Sequence, residues 1–137
     1  MLALEPLLHA RLAGIPGLRG VYGLADLTAE KTKPTPCVYV VYDGGRVLEQ
    51  NANGAEARVA ARWLVVLAVK NVRGADGAAA REDAQPLADA VLTALMGWRP
   101  DVGHTALHLV DLLRPDFDGG LLWLPMAFQT TQIMKGH

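Results

Sequence analysis

Any chemistry in this chain has to come from a small set of side chains. His104, His108 and Asp111 are spaced at four and then three residues. On a helix that spacing would gather three ligand-type side chains on one face, as a zinc site requires. The surrounding Thr105-Ala-Leu-His-Leu-Val-Asp-Leu-Leu alternates like a strand instead. Alternation puts His104 and His108 on one face and Asp111 on the other. No Glu follows His104, as a hydrolytic zinc motif would need. The pair therefore reads as solvated edge histidines. Cys37 lies in a strand-like run with no histidine near it in sequence, and reads as a small buried hydrophobe. Gly44-Gly45 and Gly119-Gly120 lack the spacing of phosphate-binding loops and fit tight turns. Asp116 and Asp118 stand in a turn, where Asp is favoured for backbone reasons, and Arg81-Glu82-Asp83 reads as a solvated helix face. No nucleophile, base and orienting group come together. The residues predict no enzyme, no metal site and no organic cofactor.

The composition narrows the remaining classes. The chain has 137 residues, fitting one domain over 1–137, with 13 Lys plus Arg against 14 Asp plus Glu. That near-balance argues against a dedicated nucleic-acid binder, which needs surplus cations for phosphates. With 51% hydrophobic and 20% charged residues, the chain can build a core, and some of its apolar surface is expected against partner subunits. A single cysteine cannot form an internal disulfide, so a reducing compartment is expected. Glu5 and Pro6 interrupt the N-terminal apolar stretch, which argues against a signal peptide. The longest apolar run, Trp63 to Val69, is too short to span a bilayer. The expectation is a soluble intracellular domain with no membrane partner.

The elements that must position these residues follow from periodicity. Leu4, Leu7, Leu8, Leu12 and Ile15 recur at helical steps, ended by Gly14, Pro16 and Gly17. Arg19 to Tyr22 reads as a short extended piece and Asp26 to Pro36 as a loop. Residues 37–42 form a strand, closed by Asp43-Gly44-Gly45 as a turn, with Arg46 to Gln50 returning as its hairpin partner. Arg58 to Val72 is the strongest strand. Arg58 and Arg62 share one of its faces, and Val59, Ala61 and Trp63 the other. Asp76 to Met96 carries a stripe of Ala84, Leu87, Ala88, Val91, Leu92 and Leu95, with Pro86 marking a kink or a fresh start. Thr105 to Leu113 and Leu121 to Met134 pair as a hairpin, with Pro125 at a sheet edge or bulge. The result is an α+β fold: two helices packed on one face of a mostly antiparallel sheet. Its expected core is Leu8, Leu12, Val40, Leu64, Val66, Leu92, Leu95 and Trp123.

About fifteen strand residues at roughly 3.3 Å each span about 50 Å, whereas a domain of this size has a radius of gyration near 14 Å, roughly. The long strand is therefore expected to project, carrying Arg58 and Arg62 beyond the core. There they would meet carboxylates such as Asp43 or Glu49 of a neighbouring subunit. Asp43, Arg46, Glu49, Arg58 and Arg62 are the candidate interface residues.

Five segments, taken in order, give the chain a resemblance to the tail terminator (tail completion) proteins of tailed bacteriophages and prophages. They are Ile15-Pro-Gly-Leu-Arg-Gly-Val-Tyr-Gly-Leu-Ala-Asp-Leu, Thr35-Pro-Cys-Val-Tyr-Val-Val-Tyr, Arg62-Trp-Leu-Val-Val-Leu-Ala-Val-Lys-Asn-Val-Arg, Leu92-Thr-Ala-Leu-Met-Gly-Trp-Arg-Pro and Gly120-Leu-Leu-Trp-Leu-Pro-Met-Ala-Phe-Gln-Thr-Thr. The Leu124-Pro125 step departs from the family pattern. The resemblance implies a tail-terminator-like fold and a structural role without catalysis, metal or nucleotide. It implies a homo-oligomeric, typically hexameric ring that caps the tail tube, ends its polymerisation and docks the head-completion or connector protein. DNA would pass through the ring without specific binding, which suits the near-zero net charge. The location implied is the neck end of the virion tail, after assembly in the bacterial host cytoplasm. The alternatives are another neck or baseplate adaptor and an unrelated small α+β ligand-binding domain.

Overall fold

The computed structural model describes residues 2–27, 33–70 and 78–136. Its elements are α1 (Leu4–Ala13), β1 (Val21–Tyr22), α2 (Leu24–Leu27), β2 (Cys37–Gln50), β3 (Glu56–Lys70), α3 (Ala78–Leu95), β4 (His108–Leu112), β5 (Asp116–Asp118) and β6 (Leu121–Lys135). The described strands form one sheet in the order β1-β2-β3-β6-β4, with β5 also on β6. Every pairing is antiparallel except β1 with β2. This is the α+β fold expected from the two amphipathic stripes, with one short addition. Residues 24–27, within a stretch largely read as loop, make the helical turn α2.

The strand at the centre is β3, and its side chains alternate cleanly. Ala61, Trp63, Val65, Leu67 and Val69 point to the helix side and join Leu4, Leu8 and Leu12 of α1 with Ala84, Val91 and Leu95 of α3. Leu64 and Val66 point the other way and are only partly buried, as is Trp123, opposite Ala68. The expected core is thus right at Leu8, Leu12, Val40 and Leu95 and half-right at Leu92. On β3 it takes the wrong face: Trp63, not Leu64, is fully buried. An all-apolar run carries no alternation from which to tell its two faces apart. Leu7 also turns outward, 37% exposed.

Three further corrections concern β2, β6 and the middle of α3. The strand does not turn at Asp43-Gly44-Gly45. It runs on to Gln50 as a single element with register shifts between Tyr42 and Gly45 and between Val47 and Glu49. Gly44 has φ +92° and takes up one extra residue as a bulge, since Tyr42 to Gly45 on β2 spans only Trp63 to Ala61 on β3. The reversal comes later, at Asn51–Gly54, where the Asn51 side chain accepts the Glu56 N–H at 3.1 Å. Pro125 lies in the middle of the sheet, opposite Val66. Its carbonyl accepts from Leu113 N–H at 3.2 Å, so its missing N–H faces the same side, where β4 has ended and β5 has not yet begun. No ladder bond is lost. The helix α3 runs through Pro86, whose ring is exposed, and stops at Gly97 with φ +77°, a left-handed cap that favours glycine. The expected pairing of residues 105–113 with 121–134 is made by β4 and β6, but Asp116–Asp118, expected in the turn between them, form the strand β5, which reverses into β6 at Gly119 and Gly120 with φ +60° and +76°. The ends of two expected elements, residues 71–72 of the long strand and 76–77 of the second helix, lie outside the described residues.

These burial differences predict different mutational costs on one helix. Leu95→Ala should lower unfolding free energy by about 2–5 kcal/mol, the range for a buried leucine that leaves a cavity. Leu92→Ala, at a partly exposed position, should cost less than half as much in the same urea titration.

Candidate functional site

Beyond the helices the sheet continues as an arm built from the ends of β2, β3 and β6. The packed core ends on β3 at Ala61, and residues 43–50 of β2 are all exposed. Val47, Leu48, Ile133 and Met134 leave large apolar surfaces open on this arm, 57%, 41%, 52% and 40% exposed. The arm has three strands rather than two, because β6 pairs with β3 without interruption from Lys70 to Glu56.

The arm carries the charged residues singled out from sequence. Arg58 lies opposite Glu49 in the ladder, and its Nη2 reaches Glu49 Oε1 at 3.1 Å. Arg62 Nε donates to Asp43 Oδ2 at 2.9 Å, and its Nη2 lies 3.9 Å from Asp111 Oδ2. The partner residues are those expected, but here they meet within one chain. Asp43 directly follows Tyr42, which lies opposite Trp63, so the ladder itself places Asp43 across from Arg62. Lys135 and Glu56 close the tip at 3.6 Å. All these groups are substantially exposed, so each pair is worth about 0–1 kcal/mol. Arg46 shares the surface but has no ion-pair partner among the described residues.

Beside the arm, the connection from α3 to β4 makes a second polar cluster. Arg99 donates to three backbone carbonyls, those of Asp101, Val102 and His104, at 2.9 to 3.2 Å. His104 is 8% exposed. Its Nδ1 lies 2.7 Å from Asp101 Oδ1 and its Nε2 lies 2.9 Å from Gln132 Oε1. It is therefore a buried clasp holding the loop to β6, where the sequence predicts a solvated edge histidine. A register shift between Leu109 and Asp111 also changes the faces. His108 and Asp111 share a face, opposite Gln129 and Ala127, while His104 bridges to Gln132 on the other. Asp111 turns to Arg62 rather than to a histidine. No group of three potential metal ligands occurs among the described residues. The loop and arm border a cleft of about 440 Å³ lined by Arg58, Arg99, His104, His108 and Gln129 among others.

Cys37 is fully buried with Tyr39 and Ala68, and burial pushes its thiol above the usual range, which disfavours the nucleophilic thiolate. Burial likewise pushes Tyr39 up to about 12. Sequence reasoning missed Arg99, Asp101 and Gln132. Only the near-helical spacing of Asp101 and His104 hinted at contact.

A family model described as phage tail terminator protein matches residues 1–136. Among solved structures, the chain is similar to one from the "Virion of native gene transfer agent (GTA) particle", with a TM-score of 0.61 and 16% identity, covering 96% of this chain and 95% of that one. At that identity the likeness is one of fold. No curated protein matches in sequence.

The hydrogen bond from His104 holds the Asp101 carboxyl below its ordinary 3.8. A carboxylate with a depressed folded pKa contributes stability that is present above its unfolded value and lost as pH falls through the folded one. The loop should therefore loosen below about pH 3.8, read as faster amide exchange at residues 101–105. Asp101→Asn should remove that acid step, and His104→Ala should raise exchange in the same segment at every pH.

Proposed function

Because the chain belongs to the phage tail terminator family, we propose that it forms the ring that closes the tail tube of a phage or prophage and ends its polymerisation. It is a structural virion protein. The family match across nearly the whole chain carries this reading. In it, the subunits form a homo-oligomer, a hexamer, whose one side seats on tail-tube protein and whose other side receives the head-completion or connector protein. DNA passes through without specific binding, consistent with 13 basic against 14 acidic residues. Assembly takes place in the host cytoplasm and the ring ends at the neck of the tail. No catalytic step and no cofactor enter this role.

The subunit contact is assigned to the arm, with Asp43, Arg46, Glu49, Arg58 and Arg62. Their ion pairs within the chain keep the arm extended, so their removal should disturb assembly more than folding. Purified protein added at low molar ratio to polymerising tail-tube protein should arrest tube growth, seen as capped tubes by electron microscopy. Tubes that lengthen regardless would defeat the reading. Arg58→Glu with Arg62→Glu should abolish rings while circular dichroism stays that of the folded chain; rings that persist at moderate salt would move the contact elsewhere.

A further inference from the structure

A ring requires each subunit to carry two different surfaces that fit one another, since its contacts are head-to-tail. Resting on the ring reading above, we propose that these surfaces are the two free edges of the sheet. The outer edge of β2 around Gly45–Val47 receives the outer edge of β4 and β5 of a second copy of this chain, and the sheet runs on from subunit to subunit.

The backbone supplies the first argument. Asn51 N–H donates to Glu56 O at 3.1 Å, so even-numbered residues of the regular strand β3 face β2. The β2 residues opposite odd-numbered partners then turn their N–H and C=O groups outward. These are Val40, Tyr42, Gly45 and Val47, opposite Val65, Trp63, Ala61 and Val59. The only strand described beyond them is β1, which covers β2 at Val38 and Tyr39 alone. Gly45–Val47 is the stretch lying between the two bulges. At the other end of the sheet, β4 and β5 are the last strands described. Unpaired edges of this kind are templates for another strand.

The side chains supply the second argument. At the β2 edge, Val47 lies on the helix face of the sheet and Arg46 on the opposite face, by their pairing with Val59 and Ala60. At the far edge, Leu112 and Phe117 lie on the helix face, opposite Met126 and Leu122, while Asp116 and Asp118 lie on the opposite face, across from Trp123 and Leu121. Val47, Leu112 and Phe117 are 57%, 60% and 45% exposed. Set side by side with the same face up, the two edges bring apolar against apolar on one face and arginine against aspartate on the other. Arg46, Asp116 and Asp118 have no ion-pair partner among the described residues, whereas Asp43, Glu49, Arg58 and Arg62 are already paired. Direction agrees as well. Since β2 is antiparallel to β3, β3 to β6 and β6 to β4, β2 meets the neighbour's β4 antiparallel.

A mixing experiment on the full chain tests the pairing, with native mass spectrometry in solution and electron microscopy on tail tubes. Val47→Pro removes an outward N–H without costing a ladder bond, and Leu112→Lys with Phe117→Lys spoils the other edge. Each variant alone should assemble at least tenfold less than wild type. Mixed, each still has one sound edge, so they should form a heterodimer and stop there. A mixture that stays monomeric while wild type assembles overturns head-to-tail pairing, as does unimpaired assembly by either variant. Arg46→Asp leaves the backbone untouched and covers a folding failure of the proline variant. It should assemble poorly, and mixing it with Asp116→Arg plus Asp118→Arg should restore rings in which the two variants alternate, because both junctions then set opposite charges together; no restoration overturns the proposal. Wild type that never assembles, even on tube ends, sinks the ring reading itself, a result distinct from rings that ignore both edges.

Discussion

A strand of fifteen residues hydrogen-bonded along its length on both sides can present only side chains, never backbone, to whatever packs on it. That strand is β3, flanked by β2 and β6. Its regular alternation fixes which residues of each neighbour face the helices, because directly opposed residues share a face. Trp63 sets Phe128 and Tyr42 on the helix side in this way, and Tyr42 meets the indole at 5.3 Å between centroids. A slip of one residue would put Arg62 into the core and Trp63 into solvent. The register is therefore held by the side-chain chemistry of a few positions, and the helices follow from it.

The same strand divides the molecule into two regimes. From Trp63 to Val69 its helix face lies under α1 and α3, and close packing gives stability. From Glu56 to Ala60 the strand lies outside the packed helix core, and the arm is held by ladder bonds and exposed ion pairs. Each of those pairs is weak, and several of them line one sheet face. The arm's apolar residues Val47, Leu48, Ile133 and Met134 keep 40–57% of their surface open, which is why the subunit contact is proposed there.

The polar clasp at His104 couples the regimes. It ties the connection between α3 and β4 to Gln132 on the arm side of β6, and Arg99 organises the same loop through backbone carbonyls. Arg11, over the Trp98 ring at 5.3 Å and bonded to Ala94 O, anchors the end of α3 to α1. The placement of β4 at the sheet's far edge depends on these contacts, since β4 itself spans only five residues.

Periodicity in the sequence determined where the long strands and the two main helices lie, because apolar stripes and β-branched runs are local properties. It also singled out Arg58, Arg62, Asp43 and Glu49 as charges that meet, but between subunits; their pairing within one chain follows only from a reversal at Asn51–Gly54 in place of Asp43–Gly45. Tertiary structure decided what local pattern leaves degenerate. The apolar run Trp63–Val69 has two equivalent faces until helices choose one. Gly44 is compatible with a turn or a bulge until β3 offers a partner for the residues beyond it. Pro125 is tolerated in mid-sheet only because its neighbours β4 and β5 break there. His104 looked like an edge residue because Asp101 and Gln132, which bury and bind it, are brought to it by the loop and by a strand 28 residues away.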